Sequence, residues 1–350
     1  MLVARPKAVA APVAQLSSAE SGLRWKRILE PVEPFLDTVA RRLAAQVDQF
    51  EPGLRPYADY ALNGQGKHLR PALVALTAHA LGQPTPAHVT VAVTIEMVHL
   101  ATLVHDDVMD ESEIRRGRLT LAANWGNEIA VLFGDSLFAQ ALTLAASFPT
   151  PEICRAVAMA TNTVCAGEIL QTQHRRNFPV SLREYFKVLE MKTAELFALS
   201  CDLSALCSGA TAVERTAMRR FGMAFGTAYQ LYDDCVDLFG VESQVGKSLG
   251  TDLAKGKLTL PVLLLWQRAD PDDRAWLERL VREWPPGGLD RVTELLNRYG
   301  TLPPSLEAVH EQLEKAGEYL RALPESAGRA GLLGATRYLA DQTDALVTST

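Results

Sequence analysis

From about residue 22 onward apolar residues recur at three- and four-residue spacing almost throughout, with Gly and Pro as punctuation. Breaks fall near Glu51-Pro52-Gly53, Gly64 to Gly66, Gly82 to Pro86, Arg116-Gly117, Pro149 to Pro151, Phe178-Pro179 and Gly246 to Gly256. Later breaks are Pro285 to Gly288 and Pro303-Pro304. The pattern predicts helices joined by short loops, with no long linker and no β-rich block, and so a single all-α domain over residues 22–350. Residues 87–104 are apolar on nearly every side, the signature of a helix at the centre of a bundle. The stretch from Phe221 to Tyr232 has the same character.

Each of these buried stretches runs straight into an acidic cluster. The first is His105-Asp106-Asp107-Val108-Met109-Asp110 and the second Tyr232-Asp233-Asp234-Cys235-Val236-Asp237. Within each cluster the first and last aspartates stand at i and i+4 and share a helix face. Two carboxylates about 6 Å apart repel by roughly 0.7 kcal/mol in water and roughly 3 kcal/mol at an effective dielectric of about 20, so a buried set favours bound cations. A solvated face is the alternative for one such pair, and the second copy beside an apolar run argues against it. Mg²⁺ suits the donors, because it takes oxygen ligands and is usually completed by substrate phosphates. The expectation is a metal site in a bundle core.

Composition narrows the partners. Hydrophobic residues make up 48% of the 350-residue chain and aromatics 7%, enough for a large helical core. Lys plus Arg total 35 against 41 Asp plus Glu, a net charge of −6 that argues against a nucleic-acid binder. Cys154, Cys165, Cys201, Cys207 and Cys235 are odd in number and lack metal-type spacing, which fits a reducing, cytoplasmic setting. No stretch of 18 uncharged apolar residues appears, which predicts no transmembrane helix. Residues 1–21 are Ala- and Pro-rich, with Arg5 and Lys7 and no acid before Glu20. They suggest a disordered tail in preference to an organellar transit peptide.

Basic residues gather where the acids are. Arg115-Arg116-Gly117 follows the first cluster, suited to bidentate phosphate contacts or, more plainly, to a helix C-terminus. Gly64-Gln65-Gly66-Lys67-His68-Leu69-Arg70-Pro71 brings Lys67 and Arg70 into a helix start, where backbone donors favour anions. Gly246-Lys247-Ser248 and Lys255-Gly256-Lys257 follow the second cluster. Gly240 to Ser248 is not a P-loop, having five residues between its glycines and following an acidic helix. A lysine-bearing loop over a diphosphate fits better, with an ordinary solvated loop as the alternative. His99, alone on an apolar helix, is either a satisfied core histidine or a donor to an anion.

Taken together, these motifs resemble the trans-polyprenyl diphosphate synthase family. The marks are His105 to Ser112 with Arg115-Arg116-Gly117, Asp233 to Asp237, Gly66-Lys67 to Arg70-Pro71, Lys192-Thr193, and Gly246-Lys247 through Lys257-Leu258-Thr259-Leu260-Pro261, covering about residues 60 to 265. The resemblance implies an isoprenoid-synthase-type bundle of mostly antiparallel helices around a central cavity. It also implies a homodimer and Mg²⁺-dependent condensation of isopentenyl diphosphate with an allylic diphosphate such as farnesyl or geranylgeranyl diphosphate. It assigns Asp106, Asp110 and Asp233 to Mg²⁺, with Asp107, Asp234 and Asp237 as nearby ligands or water holders. Arg115, Lys192, Lys247 and Lys257 would contact the allylic diphosphate, and Lys67, Arg70, His99 and Arg116 the isopentenyl diphosphate. Thr193 and Gln230 would face the allylic cation, assisted by Gln171 or Gln173.

Product length is expected to depend on the helix below the first cluster. Ala101 lies about 7.5 Å below Asp106, with Val98 and Met97 about 12 to 13.5 Å below, at 1.5 Å per residue. Short-chain relatives tend to carry an aromatic at the Ala101 position, so Ala101 implies a longer product of the C30 to C50 class, used for quinone side chains. Met97, or Phe138 from a neighbouring helix, would be a deeper floor, although Ala101 also suits close helix packing. Rival readings are a geranylgeranyl or farnesyl diphosphate synthase, a terpene cyclase, or a non-catalytic partner subunit. The last two are disfavoured by the second diphosphate's basic set and by two intact aspartate clusters. A hydrophobic product implies a transient membrane contact for its release.

One departure from the family pattern is His68, where the glycine turn usually carries an arginine. Lys67 and Arg70 remain, so activity should survive with pH-sensitive binding of isopentenyl diphosphate. A flat affinity for isopentenyl diphosphate between about pH 6 and 8, the range in which histidine side chains generally titrate, would refute that sensitivity.

Overall fold

The computed structural model describes residues 18–63, 66–242, 249–285 and 287–347. Helix α1 spans Ser18–Leu29, so the last four residues of the expected tail are helical; the rest of that tail lies outside the described residues. Helices α2 (Glu33–Ala44), α3 (Arg55–Leu62), α4 (Leu69–Leu81) and α5 (Pro86–Met109) follow. A two-stranded hairpin, β1 (Ile114–Arg115) and β2 (Arg118–Leu119), precedes α6 (Leu121–Trp125), α7 (Asn127–Ala146), α8 (Glu152–His174) and α9 (Leu182–Leu189). A π-helical turn, Glu190–Ala194, joins α9 to α10 (Glu195–Cys207), and α11 spans Ala212–Phe239. The chain closes with α12 (Thr251–Ala254), α13 (Leu260–Arg268), α14 (Pro271–Glu283), α15 (Gly288–Arg298), α16 (Leu302–Tyr319) and α17 (Ala327–Val347).

The central elements start where the chemistry dictates. Pro86 occupies the first turn of α5, and the Thr85 N–H donates to His88 Nδ1 at 3.0 Å in a reciprocal cap. Thr211 and Glu214 cap α11 in the same manner. Helix α10 packs against α4, α5, α8 and α11, and Leu196, Phe197, Leu199 and Leu203 are fully buried there. Burying each such side chain contributes about 1.5–3 kcal/mol. A second apolar cluster gathers Phe239, Val262, Leu277, Val281, Val292 and Leu296 around the C-terminal end of α11. Tyr232 and Leu258 pack against both clusters, so the second acidic motif lies where they meet.

The expectation that no segment would suit a membrane needs correction. Pro86–Met109, Asn127–Ala146 and Glu152–Gln173 are long and apolar enough to cross one by length and composition. A requirement for uninterrupted charge-free sequence missed them, since a single charged residue, Glu96, interrupts residues 87–104. The most apolar 18-residue window of α5 is 61% buried inside the fold, whereas those of α7 and α8 are 33% and 28% buried.

Close approach of α10 and α11 depends on Gly222, where a Cβ would lie 2.5 Å from the Phe197 carbonyl oxygen and 2.7 Å from Ala198 Cα. Backbone cannot yield as a side-chain tip can, so Gly222→Ala should destabilise the fold by about 1–3 kcal/mol. Urea denaturation measures this directly; an unchanged midpoint would show that the helices can separate freely.

Candidate active site

The first acidic cluster sits at the C-terminal end of α5 and meets cations from four other segments. The Arg115 Nε, on β1, donates to Asp107 Oδ1 at 2.7 Å. Lys257 Nζ donates to Asp110 Oδ2 at 2.6 Å, and Arg175 Nη2, at the end of α8, donates to Asp110 Oδ1 at 2.8 Å. Lys255 Nζ stands 3.6 Å from the same Asp110 Oδ2. Lys192 Nζ lies 3.7 Å from Asp106 Oδ2, pairs with Glu168 and donates to Gln171 Oε1 at 2.9 Å. Burial raises the pKa of Asp106 above the carboxylate norm, against the opposing pull of Lys192, and also raises that of Asp107 despite Arg115. Burial pushes Asp110 the same way, but Lys257, Lys255 and Arg175 outweigh it and hold the group below its ordinary value. For Lys192, burial favours the neutral amine, yet Asp106 and Glu168 more than reverse this and raise its pKa.

Lys192 and Thr193 are presented by the π turn, a local unwinding found often at functional sites. Gly167 lets α8 press against that turn, since a Cβ there would lie 2.8 Å from the Lys192 backbone nitrogen. Thr193 Oγ1 donates to Gln230 Oε1 at 3.0 Å, and Gln230 Nε2 donates to Asp234 Oδ1 at 2.8 Å. These bonds set the orientation of the Gln230 amide and leave oxygen dipoles of Thr193 and Gln230 side by side. Gln171 is part of the site through Lys192, whereas Gln173 is exposed on α8.

The second acidic cluster does not mirror the first. Asp233 is partly exposed, but Asp234 and Asp237 are buried and engaged by protein donors. Tyr185 Oη donates to Asp234 Oδ2 at 2.5 Å; Thr251 Oγ1 and the Asp252 N–H donate to Asp237 at 2.9 and 3.2 Å. Asp237 thus anchors α12, a role invisible in the i,i+4 spacing. Among the described residues no three His, Cys, Asp or Glu side chains converge to hold a metal by themselves. The oxygen donors still fit a hard cation that draws its remaining ligands from a bound diphosphate. Lys247 lies outside the described residues.

A second cationic region lies beside this one. The Arg70 guanidinium sits 4.6 Å over the Phe197 ring, and its buried Nε has no acceptor among the described residues. Arg116 reaches the glycine turn, so that a Cβ on Gly66 would lie 2.9 Å from its Nη1. Burial and the nearby Arg70 push His99 down to about 3, so its imidazole is neutral and offers one N–H. Lys67 is exposed, and His68, in the left-handed region at φ 46°, places Nδ1 3.7 Å from Glu96 Oε1. Sequence reasoning missed Glu96, Glu168, Arg175 and Tyr185; Glu96 and Glu168, lone acids within apolar helices, were the available signal.

Below the acids, Ala101, Met97 and Val98 are sealed in the core at 0%, 0% and 1% exposure. The accessible stripe of α5 runs instead through Leu103, Thr102 and His99. His105, one turn above Ala101, packs its ring 5.6 Å from Phe138 of α7, so Ala101 lies on the seam between α5 and α7. Phe138 therefore packs at the level of His105, not at a floor deeper than Ala101.

The chain is similar to several known proteins. The polyprenyl synthetase family model matches residues 51–297. The octaprenyl diphosphate synthase of Escherichia coli is 36% identical over 277 residues, covering 79% of this chain and 85% of that protein. Heptaprenyl diphosphate synthase component 2 of Bacillus subtilis is 34% identical, covering 91% of this chain and 90% of its own length. The crystal structure of a Caulobacter crescentus polyprenyl synthase complexed with calcium and isoprenyl diphosphate matches with a TM-score of 0.83 and 30% identity, covering 91% of this chain and 97% of that one.

Burial, followed by the charge of Asp252, pushes Asp234 up to about 8 against the donors Tyr185 and Gln230. A carboxyl whose folded pKa exceeds its unfolded value near 3.8 stabilises the fold fully below that value, and loses the contribution as pH rises through about 8. In chelator, Asp234→Asn should therefore gain stability relative to the parent as pH rises from about 5 to 8. A constant gap in denaturation midpoint would show that Asp234 keeps an ordinary pKa.

Proposed function

Because the chain belongs to the polyprenyl synthetase family, we propose that it is a Mg²⁺-dependent trans-prenyltransferase that condenses isopentenyl diphosphate with an allylic diphosphate, farnesyl or geranylgeranyl, into a long-chain all-trans polyprenyl diphosphate. The observation that carries the reading is the adjacency of two cationic regions, one interlocked with Asp106, Asp107 and Asp110, the other built on Arg70, His99 and Arg116. A cyclase acting on one diphosphate has no use for the second. Asp106, Asp110 and Asp233 would hold Mg²⁺, which supplies Lewis-acid stabilisation of charge on the leaving diphosphate.

The chain's own residues account for the rest. The allylic C–O bond breaks with its electron pair leaving on diphosphate, and Lys192, Lys257 and Arg115 offset that growing negative charge. Thr193 and Gln230 turn oxygen dipoles toward the cation, and the surrounding apolar helices keep water from it. Arg70, Arg116, Lys67 and the neutral N–H of His99 hold isopentenyl diphosphate, whose double bond attacks the allylic carbon. The released diphosphate then takes the proton that restores a double bond.

The relatives' long-chain names support a C30 to C50 product. Exposed Val131 and Leu132 on α7, and Met159 and Ile169 on α8, favour a homodimer built through that face. The five free cysteines suit a cytoplasmic enzyme, and the hydrophobic product calls for transient membrane contact at release.

Incubation with farnesyl diphosphate, labelled isopentenyl diphosphate and Mg²⁺ should give a ladder reaching C30 or beyond, abolished by Asp106→Ala. A stop at C20 would favour the short-chain alternative, and no incorporation with any primer would overturn the assignment. Ala101→Phe, on the sealed α5–α7 seam, should lower the denaturation midpoint and leave the ladder's length unchanged; a shorter ladder from a folded variant would return Ala101 to the tunnel wall.

A further inference from the structure

Three cationic side chains converge on Asp110, and two of them belong to none of the expected binding sets. Lys257 and Lys255 approach Oδ2 at 2.6 and 3.6 Å, while Arg175 takes Oδ1 at 2.8 Å. One carboxylate offsets one of these charges, and Asp252, 4.0 Å from Lys257, offsets at most another. On the other side of the same cluster the balance is reversed, because Asp106 and the buried Glu168 share the ammonium of Lys192. Over the whole cluster five carboxylates and five cations balance, but three of the cations crowd one carboxylate, which leaves N–H donors there for an entering anion. The two additional cations are also tied to one another and to the site. The Arg176 N–H donates to the Gly256 carbonyl at 2.8 Å, and Lys255 Nζ donates to Ser112 Oγ at 2.9 Å. Arg175 keeps a buried Nε–H with no acceptor among the described residues.

We propose that Arg175 and Lys255 are further diphosphate-binding residues, joining Lys257 to grip the allylic diphosphate at the Asp110 side of the site. This rests on the prenyltransferase reading. The guanidinium carries five N–H donors in a planar fork, so contact with Asp110 leaves others for phosphate oxygens. Lys255 adds a point charge that can leave Ser112 for the same group. Together they concentrate binding energy on the leaving group, whereas the isopentenyl subsite is served by Arg70, His99 and Arg116.

The test uses Arg175→Gln, Lys255→Gln and the double variant, with Arg175→Lys as the conservative control. KM for each substrate is measured, and binding of inorganic diphosphate with Mg²⁺ is followed by calorimetry. The allylic KM and the Kd for inorganic diphosphate should each rise about tenfold per residue removed, in keeping with loss of one charge-assisted hydrogen bond. The isopentenyl KM should stay within about twofold, and Arg175→Lys should recover part of the loss. Unchanged inorganic-diphosphate affinity in a folded double variant would overturn the proposal, as would an equal rise in both KM values, which would assign the pair to Asp110 and the local fold. Failure of the parent protein to incorporate isopentenyl diphosphate would remove the prenyltransferase reading, while the calorimetry would still show whether these cations bind diphosphate.

Discussion

Three carboxylates within little more than one turn, at the end of the long central helix α5, constrain the rest of the molecule. Asp106, Asp107 and Asp110 repel one another, and the partial burial that makes them useful raises the cost of their charge. The compensation comes from the π turn, the β1 strand, the end of α8 and the segment after α12, which supply Lys192, Arg115, Arg175, Lys255 and Lys257. Segments remote in sequence are thus tied to one end of α5 by charge, while the apolar faces of α4, α5, α10 and α11 hold the other end by packing. Removing a partner here leaves an uncompensated buried charge, a larger loss than the pair itself contributes.

That arrangement requires the backbone to come closer than side chains normally allow. Gly167 brings α8 against the π turn, and Gly226 brings α11 against that turn's last residue, Ala194, so the turn carrying Lys192 and Thr193 is held from two sides. The extra residue of a π turn changes which side chains face inward, and here it turns Lys192 toward Asp106 and Thr193 toward Gln230. Precision at the site therefore rests on backbone contact as much as on the charged groups.

The helical bundle and its two central acid-bearing helices were legible in the sequence, because burial on most sides leaves a long, largely apolar run that ends abruptly in aspartates. The first cluster and its companions Arg115, Lys192 and Lys257 were legible for the same reason, through motif order along the chain. What escaped was information carried by tertiary contact alone. Arg175 looks like a helix-end arginine until α8 is laid beside Asp110, and Glu168 looks like an interruption in an apolar helix until Lys192 faces it. Ala101 was placed by linear distance below Asp106, but angular position decides accessibility. At about 100° per residue it lies roughly 140° around the helix from Asp106, on the α7 side.

The two aspartate clusters, so alike in sequence, are compensated in different ways, and the difference bears on how the site works. Asp234 and Asp237 receive hydrogen bonds from neutral donors: Tyr185, Gln230, Thr251 and a backbone N–H. Such donors are part of the scaffold, aligning Gln230 beside Thr193 and fastening α12 to α11. Asp106 and Asp110 are instead matched by lysines and arginines, whose charges serve phosphate oxygens equally well. Under the proposed function the carboxylates would hold the cation and the basic side chains the phosphate, so that each group would exchange one partner for another. The second cluster, held by neutral donors, would keep its geometry while the first changes partners.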